Sequence, residues 1–64
     1  LIAQELNLEN NLISKIENLN HLSYLQKLDL GRNKITIIEG LEFLSSLTQL
    51  SLEENLITEL SGLE

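Results

Sequence analysis

The chain repeats itself every 22 residues, and that period leaves few folds open. Shifted by 22, Leu6 falls on Leu28 and Leu50, Leu8 on Leu30 and Leu52, Asn11 on Asn33 and Asn55, and Ile13 on Ile35 and Ile57. The register continues through Ile16, Ile38 and Leu60, then Leu19, Leu41 and Leu63, and ends with Leu22 on Leu44 and Leu25 on Leu47. Of the 27 hydrophobic residues, 19 are leucines or isoleucines at these recurring places. The apolar pattern therefore belongs to the repeat and not to any one amphipathic element. A unit this small has no core of its own, so it must bury its aliphatic side chains against the copies before and after it.

Within a unit the apolar spacing changes character. Leu6 and Leu8, Leu28 and Leu30, and Leu50 and Leu52 alternate with polar residues, the period of a half-buried strand. From Ile13 onward, through Ile16, Leu19, Leu22, Leu25 and Leu28, the apolar residues recur at every third position. That period is too short for an α-helix and suits 3₁₀ turns or extended chain. Strands 22 residues apart cannot be joined by tight hairpins, so they are expected to lie parallel, each returning through a period-three segment.

A polar residue at a fixed place among leucines needs a partner if it is buried. Asn11, Asn33 and Asn55 sit where each strand ends and the chain bends inward. An asparagine amide both donates and accepts, so a stacked ladder of the three is expected to satisfy backbone groups exposed by successive bends. Gly40, Gly62 and Asn18 occupy one equivalent place. Both residue types tolerate positive φ, so a left-handed turn is expected there.

The strings LNLENNLISKIENLNHLSYL, LDLGRNKITIIEGLEFLSSL and LSLEENLITELSGLE fit the pattern LxLxxNxIxxIExLxxLxxL. That pattern resembles the 22-residue leucine-rich-repeat class, which includes the leucine-rich regulatory subunit of protein phosphatase 1 and units of ciliary, axonemal and centrosomal proteins and a spliceosomal scaffold. The third string departs from it at Leu60-Ser61, where the usual glutamate is absent. The resemblance implies a leucine-rich-repeat solenoid of the α/β class, with short parallel strands on a concave face, 3₁₀ or extended turns on a convex face, and about three units, 3–24, 25–46 and 47–64. It also implies a protein-interaction module or scaffold, with phosphatase regulation as one setting and a structural spacer in a ciliary, axonemal or centrosomal protein as the alternative.

On such a solenoid the side chains between and beside the strand leucines stand in columns on the concave face. They are Glu5, Lys27 and Gln49, then Asn7, Asp29 and Ser51, then Glu9 and Glu53 with Gly31 between them, flanked by Asn10, Arg32 and Glu54. Glu5, Asn7, Glu9, Lys27, Asp29, Arg32, Gln49, Ser51 and Glu53 are the expected protein-binding residues. Five acids against Lys27 and Arg32 suit a partner with basic or hydrogen-bonding groups. Arg32 is the one residue there of the types that dominate interface energetics.

The remaining inventory argues against other chemistry. His21 stands alone without cysteine, so no metal site is expected, and neither a nucleophile motif nor a clustered glycine loop points to catalysis or a cofactor. A net charge of −6 repels phosphate backbones and anionic membrane surfaces, so neither nucleic acid nor membrane is an expected partner. The absence of cysteine points to an intracellular setting, cytoplasmic, cytoskeletal or ciliary, with the nucleus left open. Tyr24 and Phe43 are expected to fill gaps between coils, and Leu12 and Leu56 to be half exposed. Neither end carries a cap, so the chain is expected to be a fragment of a longer array, prone to self-association through its open ends.

Overall fold

A computed structural model describes residues 4–60. Five short strands run in the order β1 (Glu5–Asn7), β2 (Lys27–Asp29), β3 (Ile37–Ile38), β4 (Gln49–Ser51) and β5 (Glu59–Leu60), and there is no helix among the described residues. The three stretches where leucine alternates with polar residues become β1, β2 and β4, paired side by side in one parallel sheet. Their register is the sequence period itself: Leu6 lies opposite Leu28, and Leu28 opposite Leu50. Backbone hydrogen bonds carry the pairing past the strand ends, from Leu8 N–H to Asp29 O and from Leu30 N–H to Ser51 O, both at 2.8 Å.

The return segments combine three-residue turns with short extended pieces, the two forms that a period of three suits. Leu22 N–H donates to Leu19 O and Leu25 N–H to Leu22 O, each at 3.0 Å, and the same two turns recur from Leu44 to Leu41 and from Leu47 to Leu44. Linked three-residue steps of this kind bring every third side chain to one side, which is why the leucines there all face the core. A second parallel sheet, in which β3 pairs with β5 through Ile38 opposite Leu60, was not expected from the sequence. The adjacent β-branched pair at β3 favours extended chain, and a period of three does not reveal it.

Two columns of residues hold left-handed backbone. Asn18 and Gly40 have φ of 63° and 73°, the conformation expected at their shared place, while Gly62 lies outside the described residues. Glycine is required at 40 for a second reason, because a Cβ there would come within 2.7 Å of Ile16 O. The other column, Asn10, Arg32 and Glu54, with φ of 65°, 56° and 56°, has no counterpart in the sequence reading.

Asparagines tie the coils together where the strands end. The Asn33 side chain, only 6 % exposed, donates to Leu8 O, Leu30 O and Gly31 O at 3.0 Å and accepts from Ile13 N–H at the same distance. Asn55 repeats this one coil later, reaching Leu30 O, Leu52 O and Glu53 O and accepting from Ile35 N–H. Asn11 is exposed and donates to carbonyls of its own coil, Leu8 O and Glu9 O.

The core is Ile16, Leu25, Leu28, Leu30, Ile35 and Leu44, with Leu6, Leu8, Leu22, Leu52 and Ile57 among those packed partly buried around it. All but Ile16 come from the stretch 25–46, whose strand β2 lies between β1 and β4, so among the described residues this coil has a neighbour on either side. Leu28 is fully buried, whereas its equivalent Leu50, on a strand with one neighbour in the sheet, is 41 % exposed. Among the described residues no helix is long and apolar enough to cross a membrane.

Candidate functional site

Alternation along β1, β2 and β4 sends the leucines inward and the intervening polar residues outward, so the outer face of the three-stranded sheet is set by register alone. Glu5, Lys27 and Gln49 face each other across the sheet in that order, and all three are exposed. Lys27 forms no ion pair among the described residues. A depression of about 80 Å³ lies here, lined by Glu5, Leu6, Asn7, Lys27 and Asp29.

The next column is partly committed to its own chain. Asn7 Oδ1 accepts Glu9 N–H at 2.9 Å, and Asp29 Oδ1 accepts Gly31 N–H at 3.0 Å. Such side-chain turns satisfy backbone donors where a strand stops. Ser51 Oγ instead donates to Glu53 Oε1 at 3.0 Å. Gly31 is buried, and a Cβ on it would meet Glu53 Cγ at 3.2 Å and Asp29 Oδ1 at 3.3 Å. The glycine thus leaves room for the Glu53 side chain to lie against the strand end at Gly31.

Arg32, expected as a contact residue on this face, is held by Glu54. Its Nε donates to Glu54 Oε2 at 2.8 Å, one repeat further along. That hydrogen bond, the charge of Glu54, and then the charges of Glu9 and Glu53 raise the guanidinium pKa above its ordinary value. Both side chains are more than half exposed, so the pair is screened by water and adds little to stability, yet it fixes where the positive charge stands. The left-handed backbone at Arg32 and Glu54 aims both side chains along this edge, and nothing in the two residue types signals it beforehand.

A second concavity, larger than the depression on the sheet face, lies elsewhere. A groove of about 330 Å³ on the return side is bordered by Lys15, Glu17, Asn18, Asn20, Glu39 and Glu42. Lys15 Nζ lies 3.9 Å from Glu17 Oε1. No group of three histidine, cysteine, aspartate or glutamate residues able to hold a metal occurs among the described residues. Phe43, expected to fill a gap between coils, is 56 % exposed, and Tyr24 is 38 % exposed, because both sit in the turns between return leucines and not on the inward third position.

A family model described as leucine-rich repeats (2 copies) matches the chain twice, over residues 4–42 and 25–64. No curated protein and no solved structure gives a significant match.

Proposed function

This chain belongs to the leucine-rich-repeat family, and on that footing we propose that it binds a protein partner across the outer, concave face of its three-stranded sheet. The observation that supports this reading is the column Glu5, Lys27 and Gln49: exposed, locked in register by the sheet, and making no side-chain hydrogen bond within the described residues. The sheet fixes the backbone spacing of this row in advance, so binding has only its side chains left to order. Glu5, Glu9, Asp29, Glu53 and Glu54 outnumber Lys27 and Arg32, and Arg32 is already partnered, so the matching surface carries basic and hydrogen-bond-donating groups. The setting proposed for this reading is phosphatase regulation, on the strength of the repeat pattern.

A second reading, a structural spacer of the ciliary or centrosomal kind, draws support from Asn7 and Asp29, whose side chains serve their own backbone. A photo-crosslinking residue at Gln49, compared with one at Glu42 on the return side, separates the two. Adducts from Gln49 with basic segments, raised by Lys27→Glu because it removes a positive charge from the face, are expected of a docking face. Adducts confined to Glu42, with Lys27→Glu silent, would overturn the first reading.

A further inference from the structure

One repeat column stands outside the sheet face and carries no structural duty for its side chains. Leu12, Lys34 and Leu56 share the place that follows each ladder asparagine. Leu12 is 79 % exposed and Leu56 59 %, and Lys34 between them is exposed too. Leu12 and Leu56 are the two most exposed of the described leucines, more so than the outer-strand Leu50 at 41 %, and their shared repeat place marks a surface to be covered.

The backbone fixes the spacing of this column. Lys34 N–H donates to Ile13 O at 2.8 Å and Leu56 N–H to Ile35 O at 2.9 Å, so successive coils are held here at strand separation. Two intervals of about 4.8 Å put Leu12 and Leu56 roughly 10 Å apart, with the lysine midway. Beside the column lie Ser14, Thr36 and Thr58, exposed and short, which form a low shelf along it.

We propose that Leu12, Lys34 and Leu56 form a second docking surface for an α-helical segment of a partner protein, one that presents apolar residues at positions i and i+7 and a carboxylate at i+4. Seven residues of helix span about 10.5 Å, matching the leucine pair, and the residue at i+4 falls between them on the same face. Extended chain fits poorly, because its same-face side chains recur at about 6.7 and 13 Å. The charge of the occupant follows from Lys34: Lys15 and Arg32 have carboxylate partners within the chain, whereas Lys34 has none among the described residues. A second copy of this chain is disfavoured by symmetry. A two-fold contact that pairs Leu12 with Leu56 of the other copy sets Lys34 against Lys34.

The test uses the whole 64-residue chain and a fluorophore-labelled, end-capped helical peptide of about 18 residues, long enough to hold helix in water. The peptide carries Leu at i, Glu at i+4 and Leu at i+7 on an alanine and glutamine background. Saturable binding by anisotropy is expected, weakened roughly tenfold by Lys34→Glu and recovered when the peptide glutamate becomes lysine. Leu12→Ser should abolish it, and Lys27→Glu on the sheet face should leave it intact, with circular dichroism of every variant matching the parent. Absence of saturation, indifference to the charge swap, or equal binding by a peptide with its leucines at i and i+4 would overturn the proposal. So would sedimentation showing a dimer that Leu12→Ser dissolves, since the occupant would then be a second copy.

Discussion

Arg32 Nε and Glu54 Oε2 meet at 2.8 Å across 22 residues of sequence, and both residues hold the left-handed backbone that glycine prefers. The pair is exposed and the backbone strained, so the two effects oppose each other. Glu54→Gly removes the ion pair and relaxes the strain together. The chemical denaturation midpoint is expected to hold or rise, and 1 M salt, which screens such pairs, to leave the parent nearly unchanged. A clear drop in either measurement would show that the ion pair, and not the backbone, governs this edge.

The asparagine ladder predicts a ranking. Asn33→Ala strips a buried residue of four hydrogen bonds and leaves Ile13 N–H without its acceptor, a loss expected to exceed about 2 kcal/mol. Asn11→Ala removes two bonds at an exposed site and should cost less than about 1 kcal/mol. Equal losses in urea titrations of the two variants would contradict the view that cross-coil bonding makes the difference.

Leu28 and Leu50 test the burial gradient with identical chemistry at equivalent places. Leu28→Ala opens a cavity in the fully buried centre and is expected to cost about 2 to 5 kcal/mol. Leu50, already 41 % exposed, should lose about half as much on the same truncation. Comparable shifts in thermal midpoint would mean that the outer strand is covered in solution, as an oligomer would cover it.

Gly40→Ala adds a methyl group 2.7 Å from Ile16 O at a φ of 73°. Its cost should exceed about 1 kcal/mol, while Asn18→Gly, at the same place one coil earlier, should be nearly neutral. Unfolding curves for the two variants are the check, and a neutral Gly40→Ala would show that the coils can part at that point without penalty.

Much of this architecture is legible because aliphatic spacing records which side chains face inward. Leu6 over Leu28 over Leu50 follows from the 22-residue shift with no further assumption. The left-handed Asn18 and Gly40 are equally readable, since one place occupied by asparagine and glycine has little else in common. Arg32 and Glu54 are not, because their left-handed backbone is imposed by the coil around them and not by their own preference. The side chain of Asp29 reads as a contact residue by position and is found holding Gly31 N–H, a choice decided by local geometry after the strand ends. The β3 and β5 pairing is hidden for a different reason: at two residues each, neither strand is long enough to show a period.

Leu25, Leu28, Leu30 and Ile35, the largest fully buried side chains, all belong to a single coil. No coil in the stack owns its burial; each is dry only while its neighbours stay in place. Amide hydrogen exchange should therefore rank by rank in the stack, slowest between Leu28 and Ile35 and faster toward either flank, even where hydrogen-bond lengths are the same. Opening would run like a zipper from the outside inward, with the central coil the last to let go of its protons.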